Sequence, residues 1–259
     1  MLFLLLVLGS QFSAGEEPAP DKLPKEEHAE TDEEPVVTDP AGNPYFPKGR
    51  DSHSVYYKAA NLPSMLSMRV NKGEVRFRVG FFPSFARPLF LSYARDKDQG
   101  IISVARLSGR LADGQEPGKI EMQGAVEVKP EDAAGFETRA VWPEVREPLK
   151  ALDERLLPHF FQVADGEEWL LEVVTSDGYT LTRIQCPQEF KFYEKGFRVI
   201  LEDIRKGPQK YRLPESFRKY EFPALDVSEF NEFCKHLLLA TDMGIPSRLR
   251  EHLPAYPVE

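Results

Sequence analysis

Between residues 66 and 81 apolar and polar positions alternate. Leu66, Met68 and Val70 interleave with Ser67 and Arg69, and after Asn71-Lys72-Gly73 the apolar Val75, Phe77, Val79 and Phe81 interleave with Glu74, Arg76 and Arg78. Successive side chains of an extended chain point to opposite faces, so this period of two predicts a β-hairpin closed by the glycine-bearing turn. The same pattern predicts strands at 89–94, 101–107 and 120–128, separated by turns carrying Gly100, Gly114, Pro117 and Gly118. The whole stretch from Val55 to Trp142 therefore reads as an antiparallel meander with one wet face.

The period then changes. Val145, Leu149, Leu152 and Leu156 recur at helical spacing between Pro148 and Pro158, predicting a central helix at about 147–157. A second β section follows: Trp169, Leu171 and Val173, a tight turn at Ser176-Asp177-Gly178, a strand at 179–186, and a later one with Phe197, Val199 and Leu201 opposite Arg198 and Glu202. Asp226, with Glu229 three positions on, resembles a capping-box start for a C-terminal helix lined by Val227, Phe230, Cys234, Leu237, Leu238 and Thr241 and ended by Gly244. A short helix is expected at 247–253. Strands, helix, strands, helix is the order of an α+β fold with a mostly antiparallel sheet; an all-β sandwich or barrel with flanking helices is the alternative. A single domain over 51–259 is expected, with a possible subdivision near 166.

The N-terminal 50 residues have another character. Residues 2–8 are uniformly apolar, and Ser13-Ala14-Gly15 supplies small side chains before two glutamates, which reads as a signal peptide over 1–15. The run is far below the ~20 residues that span a bilayer, so no transmembrane segment remains after cleavage. Residues 16–50 hold seven prolines and few large apolar side chains and read as a disordered acidic linker. Ten acidic residues against two lysines lie between 16 and 40, giving −8 of the chain's net −9. The rest is nearly neutral, which speaks against a nucleic-acid partner.

No Asn is followed two residues later by Ser or Thr, which favours a bacterial periplasmic or secreted protein. A bridge between Cys186 and Cys234 would close a 47-residue loop and stabilise by ~4 kcal/mol in a chain-entropy account. Cys234 on an apolar helical stripe is equally a small core residue.

Chemistry is sparse. No phosphate-cradling glycine loop, nucleophile elbow, His-Glu-x-x-His or Cys-x-x-Cys motif occurs, so no cofactor or metal is expected. Two clusters have a chemical reading. Asp165-Gly166-Glu167-Glu168-Trp169 places carboxylates beside an aromatic ring, as in a glycosidase, although such a turn more often solvates a strand entrance. Arg69, Arg76 and Arg78 should share the polar face of the first hairpin and could grip a carboxylate or phosphate, with Glu74 on the same face as a neutralising neighbour. His159, beside Phe160 and Phe161, reads mainly as a packing residue, and His236 as exposed. The aromatic and basic residues between Phe190 and Phe222 suit a partly covered β surface better than a stacking platform for single-stranded nucleic acid. The function expected is that of an exported binding or interaction module of the envelope or extracellular space, taking a protein partner or small ligand. The alternatives are an envelope hydrolase using carboxylates such as Glu167 and Glu168, and a structural subunit whose acidic tail recruits a basic partner.

Overall fold

A computed structural model describes residues 36–50, 53–84, 86–96, 99–109, 116–147, 167–185 and 226–241, and the single positions 195, 198 and 202. The expected signal peptide, the helix beyond Glu147, His159, Cys186, most of the aromatic-basic stretch, Gly244 and the helix at 247–253 lie outside them.

The fold is α+β. One six-stranded antiparallel sheet comprises β1 (Arg76–Pro83), β2 (Leu89–Asp96), β3 (Gln99–Leu107), β4 (Ile120–Val128), β5 (Glu167–Thr175) and β6 (Gly178–Gln185), in the order β4-β3-β2-β1-β5-β6. The described helices are α1 (Ser54–Ala59), α2 (Pro130–Ala140), α3 (Pro143–Arg146) and α4 (Ser228–Ala240). β1 to β4 form a meander, and β5 then returns to the other side of β1, pairing with it from Arg76↔Val174 to Pro83↔Glu167. Described residues before and after 166 thus share one sheet. The described sheet is open, not a barrel or a second layer of strands.

Both faces of the central strands are covered. Phe77, Val79 and Phe81 point to one face, joined by Leu91, Tyr93 and Trp169, and bury against α2, α3 and α4. Arg78, Gly80 and Phe82 point to the other, where residues 36–62, a strap containing α1, lie across Phe90, Ala105, Leu107 and Leu170. The expected wet face survives only toward β4, whose Gln123, Gly124 and Ala125 are exposed. The linker reading fails for 36–50: Tyr45 and Phe46 are 1% and 3% exposed and belong to the strap's core. Asp39 stitches this segment. Its carboxylate accepts backbone N–H bonds from Ala41, Asn43 and Ser64 at 2.8–2.9 Å, which hold it below the usual carboxylate range.

The first predicted hairpin is only half correct. The Asn71–Glu74 turn forms, with Gly73 at φ +84°, but residues 66–70 are not a strand. Both edges of β1 are taken by β2 and β5, so 66–70 has no edge to join. Ser64 is instead held to Asp39 and to the Pro44 carbonyl. Residues 130–140, included in the expected β stretch, form α2, because Pro130 starts the helix and Ala133, Phe136 and Ala140 bury one side of it. Gly100 makes this packing possible: a Cβ there would lie 2.8 Å from that of Ala133. Arg198 and Glu202 have helical backbone, not the extended backbone expected of them, and the rest of 197–201 lies outside the described residues.

α4 matches its predicted stripe, with Phe230, Phe233, Cys234, Leu237 and Leu238 buried. Asp226 accepts bonds from the Ser228 N–H and hydroxyl, but Glu229 completes no capping box and reaches Arg139 instead. Cys234 is a free, fully buried thiol whose pKa is raised by burial. It fills core space; Cys186, its expected partner in a bridge, lies outside the described residues.

Candidate functional site

Ionisable side chains gather under the strap, on the face of β1, β5 and β6 opposite the helices. The pairing Arg78↔Glu172 sets a cation beside a carboxylate on neighbouring strands. Arg78 donates from Nη1 to Glu172 Oε2 at 3.3 Å, from Nε to Ser92 Oγ at 3.0 Å and from Nη2 to the Pro63 carbonyl at 2.9 Å. Tyr179 donates its hydroxyl to Glu172 Oε1 at 3.1 Å, and the Tyr57 ring lies 5.4 Å from the guanidinium. Arg78 and Glu172 are 2% and 0% exposed. Burial pushes the Glu172 carboxyl up, and Arg78 and Tyr179 only partly offset it. Burial likewise raises the phenols of Tyr57 and Tyr179, the nearby Glu172 adding to the effect.

A second group lies one strand-end away. Glu168 is bonded through Oε2 to His53 Nε2, and its Oε1 accepts from Arg183 Nε at 2.8 Å and Nη2 at 2.7 Å. His53 stacks on Phe82 with ring centroids 4.1 Å apart. Burial opposes ionisation of Glu168, yet His53 and Arg183 together hold its pKa below the ordinary carboxylate value. The His53–Glu168 bond fastens the strap to β5 at one end, as the Arg78–Pro63 bond does at the other.

The predicted sites fare differently. Arg69 is exposed and bonded to the Met68 carbonyl, Arg76 pairs with Glu74 at 2.9 Å, and Arg78 is beneath the strap, so the three form no common anion-facing patch. Sequence alternation aligned Arg76 and Arg78 correctly but could not show that one of them is covered. Glu168 and Trp169 are neighbours on a strand and so point to opposite faces. Trp169 is wholly buried against Phe81 and offers no platform to a sugar. His53, Glu172, Tyr179 and Arg183 were not singled out from the sequence. The signal was there for one of them: Trp-Leu-Leu-Glu-Val-Val is apolar at both parities, so its strand is buried on both faces and Glu172 needs a buried cation.

His236 is half-buried rather than exposed, because α2 packs beside it. Arg139 Nη1 lies 2.6 Å from Nδ1, with Glu229 3.4 Å from the same guanidinium and Glu232 and Lys235 on the same helix. Arginine can only donate, so Nδ1 is an acceptor and the ring is neutral. Burial first, then Arg139, lowers the His236 pKa from 6.5. The unfolded chain therefore takes up this proton before the folded one does, and the contribution is present above pH 6.5 and lost as pH falls below it. Urea midpoints should decline from pH 7.5 to 5, and His236→Gln, which can still accept from Arg139, should flatten that decline. An unchanged slope in the variant would show that other groups carry it.

Among the described residues no three His, Cys, Asp or Glu side chains converge to hold a metal ion, and no helix is long and apolar enough to cross a membrane. No protein-family model matches the chain, and no curated protein matches it.

Proposed function

We propose that this protein acts by binding, as an exported interaction module of the envelope or extracellular space. One observation carries the reading: the richest convergence of ionisable groups is spent on itself. Arg78 is paired with Glu172 and Tyr179, and Glu168 with His53 and Arg183, under a strap these bonds hold down. The apolar leader and the acidic, proline-rich residues that follow it support export on a spacer. Fused to a reporter enzyme active only outside the cytoplasm, residues 1–35 should confer activity, with a new N-terminus after Gly15. An inactive fusion argues for a cytoplasmic protein.

A hydrolase is the second reading, favoured by one detail. His53 bonds Glu168 through Nε2, while its Nδ1 and the adjacent Ser54 hydroxyl are buried with no hydrogen-bond partner among the described residues. Groups kept for chemistry usually cost stability, whereas a structural latch supplies it. Glu168→Gln separates the two: it should destabilise by about 2–3 kcal/mol through loss of two charge-assisted contacts. A variant that melts higher than the parent would mark a strained reactive pair and favour the hydrolase.

A further inference from the structure

The seam between α2 and α4 holds a cluster of ionisable side chains whose arrangement suits only a neutral histidine. Arg139 donates from Nη1 to His236 Nδ1 at 2.6 Å, its Nη2 reaches Glu229 at 3.4 Å, and its buried Nε finds no acceptor among the described residues. Glu232, four residues before His236 on α4, is taken by Lys235 at 3.0 Å. The other charged groups on the elements packed against α4 face elsewhere. On α2, Glu137 is held by Tyr93 and Arg95, and Glu131 and Asp132 lie at the opposite end of the helix. On α3, Arg146 pairs with Glu147, and Glu144 is exposed.

A proton on His236 makes this arrangement untenable. The imidazolium would set a second cation against the guanidinium, and neither group could accept a hydrogen bond from the other. A replacement set of partners is already within reach. Glu229 can take Nε and Nη2 of Arg139 together, a bidentate pair that also satisfies the donor now left over. The charged His236 can turn to Glu232, shared with Lys235, and a carboxylate four residues N-terminal to a cation is the favourable order on a helix.

We propose that protonation of His236 exchanges the partners across this seam, Arg139 leaving the imidazole for Glu229 and His236 turning to Glu232, so that the helix face carries a two-state acid switch. Burial and then Arg139 put the change below pH 6.5, in the range where histidine is the side chain that ordinarily changes charge. The exchange remodels an exposed tryptophan. Arg139 lies 5.9 Å from the centre of the Trp142 ring, at the limit of about 6 Å for a cation–π contact. Trp142 is 39% exposed. Redirecting the guanidinium to Glu229 changes the cover of that ring, so the helix face differs above and below the transition. The switch does not depend on export and so extends beyond the proposed function.

Nuclear magnetic resonance on the full chain between pH 7.5 and 5 tests this. The His236 ring resonances, assigned by their loss in His236→Gln, should titrate with a midpoint below 6.5. Over the same interval the Arg139 Nε–H, assigned by its loss in Arg139→Lys, should move downfield and exchange more slowly with water as it gains Glu229. Trp142 emission should step at that midpoint, over a constant background from the wholly buried Trp169. In His236→Gln, which still accepts from Arg139, the arginine signal should not respond to pH. In Glu229→Ala it should gain no protection at pH 5, while His236 still titrates. An Arg139 signal that ignores the titration of His236 overturns the proposal, as does a response that survives in either variant or a Trp142 emission without the step.

Discussion

Replacing Arg78 with methionine will destabilise this protein more than any other single charge removal on the sheet. The substitution keeps the side chain's bulk but leaves Glu172 wholly buried without its cation and withdraws the donors to Ser92 and the Pro63 carbonyl. Breaking one partner of a buried pair costs ~3–5 kcal/mol, which for a chain of this size lowers the melting temperature by roughly 6–20 °C. The deficit should depend on pH in a definite sense. Burial raises the folded-state pKa of Glu172 above 4.5, so its contribution is present below that value and lost as pH rises through the folded pKa. Without Arg78 the pKa rises further, and the gap between variant and parent should narrow toward pH 4.5 as the carboxyl takes a proton. Arg78→Met with Glu172→Leu should recover most of the loss, since two apolar side chains leave no buried charge. A single variant as stable as the parent at neutral pH would show that the pair does not hold the strap. A gap independent of pH would assign the loss to packing alone.

Deleting residues 1–62 will abolish cooperative unfolding, whereas deleting 1–35 will leave the transition where it is. The longer deletion removes Tyr45, Phe46, Tyr56 and Tyr57, all buried, and bares Phe82, Phe90, Leu170 and the Arg78–Glu172 pair to water. Each large apolar side chain is worth about 1.5–3 kcal/mol on burial. Losing both sides of such a contact exhausts the roughly 5–15 kcal/mol that a domain has in total. Circular dichroism on heating checks this directly. A sharp transition in the 63–259 fragment would mean that the sheet stands without its second layer and that the strap is an accessory.

Gly80 shows how closely the two layers meet. A Cβ there would lie 2.7 Å from the Phe82 ring and 3.1 Å from the Tyr57 hydroxyl, so only a glycine lets the strap's tyrosine approach the centre of β1. His53 stacks on the same Phe82 ring from the strap side. The polar groups of this interface thus sit in an otherwise aromatic seam, where every unmade bond is costly and the made ones define a single docking geometry.

Strand positions, the Asp-Gly hairpin and the α4 stripe were legible in the sequence, because side-chain periodicity is a local property: period two and period 3.6 are written by neighbours along the chain. So was the α+β class. Pairing partners, coverage and charge neutralisation were not local. That β1 joins β5 across some ninety residues, leaving no edge for 66–70, is settled by competition among strands for hydrogen bonds. That Tyr45 and Phe46 pack, although they follow an acidic proline-rich stretch, is settled by the apolar face waiting under them. The three arginines had the alternation of a common surface, and the sheet's second layer separated them, burying Arg78 against a glutamate from another hairpin while leaving Arg69 and Arg76 to water. Periodicity says which way a side chain points; only the tertiary structure says what it meets there, since burial and charge pairing are made between segments far apart in the chain.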